Sequence, residues 1–144
     1  MKGVPMPQFK KLTPNLVVGS VERSLAFYVD TLGFERGMTV PEQSPLVFGS
    51  VTSGPVEIFF NDTAAAVKEY PAFDGKPIGA TGTLFIEVDG VDELHDRLKP
   101  TVKVVMPIMT QFYGMREFAI EDPDGYVITF AERVETSIAG VMAN

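Results

Sequence analysis

One order of elements, strand, helix, then three strands, runs through this chain twice, and that duplication restricts its folding more than any other feature. In the first half, residues 12–18 read as a strand. Ser20 is placed to cap a helix whose apolar stripe is Val21, Leu25, Phe27, Tyr28 and Leu32, and Gly33 supplies its stop. Three short segments rich in β-branched and aromatic residues follow at 34–40, 45–51 and 55–60, separated by Pro, Ser and Gly turn signals. The second half repeats the order, with strands at 82–88, 102–109, 115–120 and 126–131 and a helix over 91–98 that begins near Asp89 or Gly90. At an offset of 70, Leu16 falls on Ile86, Val18 on Val88, Val21 on Val91 and Glu22 on Asp92. The expected division is a leader over 1–11, a first βαβββ module over 12–61, a linker over 62–81, a second module over 82–132 and a tail over 133–144 open to helix formation. The linker mixes Ala, Lys, Glu, Pro and Gly without an apolar period and is expected to hold at most a helical turn, at 63–68.

The chain has 144 residues, of which 45% are hydrophobic, enough to bury a core without staples. It has no Cys, which excludes disulfide frameworks, thiolate metal sites and cysteine nucleophiles. A net charge of −7 without a basic cluster argues against nucleic acid as a partner. The sequence shows neither a signal-peptide pattern nor an apolar stretch near the roughly 20 residues that span a bilayer, so the expectation is a cytoplasmic protein with no membrane partner.

Each module has one helix for four strands, so its helix covers one face of a sheet and the other face stays open. Period-2 alternation puts Leu16, Val18, Leu84, Ile86 and Val88 beneath the helices and turns Thr13, Asn15, Val17, Thr83, Phe85 and Glu87 to the open side. In the last strand of each module, Ile58, Phe60, Ile128 and Phe130 separate in the same way from Glu57, Phe59, Val127, Thr129 and Ala131. The predicted fold class is α+β, with two βαβββ modules forming a curled mixed sheet around a central cleft. Hydroxyls, an amide, carboxylates and phenyl rings on the open side suit a ligand cleft better than a dry core.

Two stretches carry a family pattern. Val21-Glu22-Arg23-Ser24-Leu25-Ala26-Phe27-Tyr28 with Leu32-Gly33-Phe34 is one, and the run from Gly114-Met115-Arg116-Glu117-Phe118 to Asp122-Pro123-Asp124-Gly125, followed by Ile128-Thr129-Phe130, is the other. On these the chain resembles the vicinal-oxygen-chelate superfamily of glyoxalases, extradiol dioxygenases and bleomycin resistance proteins, and its second stretch is most similar to the bleomycin-resistance branch. The resemblance implies paired βαβββ modules around a cleft, a dimer, and a divalent metal held from the first and last strand of each module. Those positions map onto Thr13, Glu57, Thr83 and Thr129. Only Glu57 is an ordinary ligand for a divalent cation, and three neutral hydroxyls leave its charge uncompensated. Bleomycin resistance proteins also lack the metal set and act by sequestering their drug.

The expected function is therefore a metal-free protein without a cofactor that sequesters a planar or amphipathic small molecule. The alternative is a lyase-like or dioxygenase-like enzyme of the same superfamily with a weak metal site at Glu57. The candidate ligand-binding residues are Glu57, Tyr113, Phe112, Phe59, Phe85, Phe48 and Asn15, and no catalytic residue is identified. Glu57 is the acid among the mapped positions, and Tyr113 matches an aromatic that the resemblance places against a flat ligand, with Met115 as an extra residue. Phe48, Phe59 and Phe85 suit either the cleft wall or the core. His95, between Glu93 and Asp96, reads as a solvated helix residue. Asp122 to Gly125 is a hairpin turn rather than a Ca²⁺ loop, since the further spaced oxygen ligands are missing. A homodimer is expected, because eight short strands leave sheet edges to cover.

Overall fold

The computed structural model describes residue 3 and residues 5–135; the expected tail therefore lies largely outside the described residues. The first module contains β1 (Asn15–Val18), α1 (Val21–Ala26), β2 (Glu35–Val40), β3 (Phe48–Ser53) and β4 (Val56–Asp62). The linker forms α2 (Thr63–Glu69), and the second module contains β5 (Thr83–Glu87), α3 (Val91–Leu98), β6 (Lys103–Thr110), β7 (Met115–Glu121) and β8 (Val127–Arg133). Two four-stranded mixed sheets result, in the orders β1-β4-β3-β2 and β5-β8-β7-β6. β1 runs parallel to β4 and β5 parallel to β8, whereas the remaining pairs are antiparallel. Among the described residues no helix is long and apolar enough to cross a membrane.

The duplication is visible in the register. Asn15 pairs with Phe59 and Phe85 with Thr129, both at the offset of 70, and the helices begin at the equivalent Val21 and Val91. Boundaries differ from the expectation where a local bond intervenes. Pro14 has no N–H for the ladder, so β1 starts at Asn15, three residues later than expected, with the Pro14 carbonyl accepting from Phe59 N at 2.9 Å. β3 starts later than expected, at Phe48: Leu46 N turns to Glu22 Oε2 at 2.9 Å, while Val47 still bonds through its backbone to Val40 and Asp62. Ser20 Oγ accepts from Arg23 N at 3.1 Å as the expected cap, and α1 then widens into a π turn over Phe27–Thr31.

Both helices press on the same side of their sheets. Val21, Leu25, Tyr28, Ile58 and Phe60 of the first module join Val91, Leu98, Phe118, Ile128 and Phe130 of the second in one buried cluster. Each such side chain contributes about 1.5–3 kcal/mol of burial. His95 departs from the expectation: Leu94, His95 and Leu98 line the inward side of α3, and the imidazole sits edge-on to Phe118 at 5.0 Å. Helical spacing from Val91 and Leu98 places it there despite its acidic neighbours.

The hairpin turn between β7 and β8 clasps the first module. Tyr28 OH donates to Asp122 Oδ2 at 2.8 Å, while Asp122 Oδ1 accepts from Asp124 N and Tyr126 N at 2.9 Å. Asp124 Oδ1 in turn accepts from Gly19 N at 2.9 Å and Arg23 Nη2 at 2.8 Å. Burial pushes the Asp122 carboxyl above its ordinary value although these bonds oppose it, and the same burial and the nearby carboxylate push the Tyr28 phenol upward.

The linker is more ordered than its composition suggests. Asp62 caps α2 by accepting from Ala64 N at 3.1 Å and Ala65 N at 3.3 Å, which adds a helix where a single turn was expected. A 3₁₀ turn over Pro71–Phe73 follows. Gly79, with φ +85°, lies so close to the second module that a Cβ there would strike the Asp124 carbonyl oxygen.

Candidate functional site

On the open face of the second sheet, register sets side chains from four strands abreast. Met109 of β6, Glu117 of β7, Ala131 of β8 and Glu87 of β5 form one row, and Ala119, Thr129 and Phe85 form the next. Alternation explains the placement: Phe118 and Ile120 enter the core, so Glu117 and Ala119 must face away from it.

Glu117 is the unusual member of this face. It is 4% exposed, its Oε1 accepts a hydrogen bond from Tyr113 OH at 2.7 Å, and its buried Oε2 has no partner among the described residues. A buried polar atom without a partner costs roughly 1–3 kcal/mol, and more when charged. Flanking Ala119 and Ala131 are too short to reach it with a polar group.

Tyr113 is presented by the loop joining β6 to β7. Gly114, at φ +88°, makes that loop possible, its N–H donating to the Gln111 carbonyl at 3.0 Å. Phe112 stands edge-on to Tyr113 at 5.1 Å and is 71% exposed. Partial burial, together with the bond and charge of Glu117, pushes the Tyr113 phenol up to about 12, so it remains a donor throughout the neutral range. Phe85, 52% exposed, supplies a further flat apolar surface on the same sheet.

The other candidates gather on the first sheet. Phe48 and Phe59 meet edge-on at 5.2 Å, and the amides of Asn15 and Asn61 are hydrogen-bonded to each other. Glu57 Oε1 lies 2.6 Å from Lys11 Nζ, which neutralises it locally. The seven residues thus fall into two groups, Asn15, Phe48, Glu57 and Phe59 on one sheet and Phe85, Phe112 and Tyr113 on the other. Glu117 was absent from the set, although the alternation with Phe118 in the same strand carried the signal.

The expected metal positions take on a different character in the register. At the offset of 70 the first-module counterpart of Thr129 is Phe59, whereas Glu57 corresponds to Val127. Positions two apart in a strand share a face, so phase alone could not separate 57 from 59. Thr83 Oγ1 and Thr129 Oγ1 are hydrogen-bonded to each other at 2.7 Å. Among the described residues no group of three His, Asp or Glu is arranged to hold a metal ion. Neutral hydroxyls bonded to one another do not fit a divalent cation, which wants charged oxygen or imidazole donors.

Comparisons with known proteins agree with this architecture. Residues 10–130 match the model of the Glyoxalase/Bleomycin resistance protein/Dioxygenase superfamily. Proteins named bleomycin resistance protein from Geobacillus stearothermophilus and Staphylococcus aureus are 30% identical over 133 residues, covering 85% of this chain and 96% of theirs. The bleomycin-binding protein of Streptomyces verticillus, solved with copper(II)-bleomycin, superposes with a TM-score of 0.60 at 26% identity, covering 87% of this chain and 97% of that one. A superfamily member from Nocardioides superposes at 0.71 with 22% identity over 94% of this chain and 89% of its own.

Proposed function

Since the chain belongs to the glyoxalase/bleomycin resistance protein/dioxygenase superfamily, we propose that it is a small-molecule binding protein that sequesters a planar or amphipathic ligand without a metal cofactor. The observation that carries this reading is the buried, half-satisfied carboxylate of Glu117 beneath Tyr113 on the open face of the second sheet. A donor on the ligand, most favourably a protonated amine or amidinium, satisfies Oε2 in place of water. The flat part of the ligand lies against the exposed ring of Phe85 and the edge-on pair Phe112 and Tyr113. The hydroxyl pair of Thr83 and Thr129 stands where the superfamily's metal chemistry would need charged donors, which favours binding over catalysis.

A second copy of the chain completes this arrangement in the same reading. Phe85, Met109 and Phe112 are 52%, 46% and 71% exposed, and the sheets end in edge strands at β1 and β2 and at β5 and β6. A homodimer in which the open face of one copy meets that of its partner covers both. Light scattering should give twice 15.7 kDa; a monomer at micromolar concentration would remove this part of the proposal. The cytoplasm is the compartment that goes with it.

The test uses bleomycin, the compound that the relatives' names supply, as its probe. Calorimetry on chelator-treated protein should show saturable binding. Glu117→Gln should weaken it by about tenfold or more, whereas Glu57→Gln, whose carboxylate is already engaged by Lys11, should change it little. Binding that requires an added divalent ion, or that is indifferent to Glu117, overturns the reading.

A further inference from the structure

We propose that the half-open pocket between β1, α2 and the segment 76–80 is a second binding site, one that takes a small aromatic or branched-chain carboxylate. Its volume is about 180 Å³, and Val17, Val67, Phe73 and Ile78 form its apolar walls. An apolar cavity of about 150 Å³ is enough to hold a benzene ring, so one ring or a short branched chain fills this one.

The polar groups of the cavity choose the sign of the ligand. Thr63 Oγ1 donates to the Val18 carbonyl at 2.9 Å and Tyr126 OH to the Val17 carbonyl at 2.8 Å, so both hydroxyl protons are spent. The side-chain amides of Asn15 and Asn61 are hydrogen-bonded to each other. Lys76 lines the cavity and forms no ion pair among the described residues. No Asp or Glu lines it, although the chain carries 19 acidic residues against 12 basic ones. Lys76 is then the charged side chain among the lining residues. That combination suits a carboxylate with an apolar body and disfavours an amine.

The walls are braced by the contacts that hold the linker in place. Asp62 caps α2 and so fixes Val67, and Gly79 packs without a Cβ against the Asp124 carbonyl, fixing Ile78. The site is built from β1 and the linker, away from Tyr113 and Glu117 on the second sheet, and it takes the opposite charge. Its failure would leave the proposed function standing.

The experiment is an amide NMR titration of the full chain with sodium benzoate and, separately, benzamide, its neutral counterpart of the same shape. Benzoate should shift the amides of Val17, Val67 and Ile78 saturably at millimolar concentration, and benzamide should bind about tenfold more weakly. Lys76→Gln should abolish the preference for benzoate while leaving benzamide binding unchanged. Val67→Phe, confirmed as folded by an unchanged spectrum at Phe118 and Ile128, should block both compounds. Equal affinity for the two compounds, shifts confined to Phe85 and Tyr113, or no saturable shift would each overturn the proposal.

Discussion

Replacing Tyr28 by Phe removes one oxygen from the interior and tests the clasp that holds the two modules together. Tyr28 is fully buried, Asp122 is 5% exposed, and their bond is 2.8 Å long. A hydrogen bond to a charged group contributes about 1.5–3 kcal/mol, and Asp122 keeps two backbone donors when this one is lost. The expected cost is therefore about 2 kcal/mol, or a fall of about 7 °C in Tm for a domain of this length. The pH dependence gives a second handle. Burial holds the folded Asp122 carboxyl above its ordinary value of 3.8, so its ionisation costs stability as pH rises through the folded value. Loss of the Tyr28 donor raises that folded value further. The deficit of the variant is then full at neutral pH and narrows on acidification, as the carboxyl becomes protonated in both folded and unfolded chains. Urea unfolding of both proteins at pH 7 and near pH 4 measures it. A deficit under about 0.5 kcal/mol, or one that widens as pH falls, would mean that the Tyr28 hydroxyl does not stabilise an ionised Asp122.

Three further outcomes follow from the same geometry. Glu117→Met should leave thermal stability unchanged or raise it, because an apolar side chain replaces a half-satisfied buried carboxylate, while abolishing binding of cationic ligands; a large loss of Tm would assign Glu117 a structural role instead. Glu132 accepts from Gly90 N at 2.8 Å and Val91 N at 3.1 Å, and these bonds hold its carboxyl below the ordinary 4.5. The stability it contributes is present above that value and lost as pH falls through the folded one, so Glu132→Gln should flatten the acid limb of a pH series of urea unfolding curves. Gly79→Ala should cost at least about 2 kcal/mol, from the positive φ and the collision with Asp124, as measured by the same unfolding curves.

The duplicated module was legible because periodicity and turn chemistry are local. Ser20, Gly33 and the Asp122 to Gly125 turn act where their sequence positions say they should. The α2 helix was less legible, since its stability comes from the Asp62 cap and from packing on β1 and β4 rather than from an apolar period of its own. The site was half legible. Alternation told which face each residue joins, yet it could not tell Glu57 from Phe59 as the partner of the second-module position, because a shift of two residues preserves the face. Nor could it foresee that Lys11 would occupy Glu57, or that Tyr113 would bond to Glu117 four residues away. Those pairings depend on where a leader and a loop come to rest, and such tertiary choices leave no periodic trace.

A crystal structure of the chain with a bound cationic ligand, grown in the presence of chelator, tests the binding site most directly. The nitrogen of the ligand should lie within hydrogen-bond distance of Glu117 Oε2, about 2.7–3.2 Å, with its flat portion against Phe85 or Tyr113. A ligand seated elsewhere, with Glu117 Oε2 still unpartnered, or a metal ion ligated by Thr83 and Thr129 would contradict it.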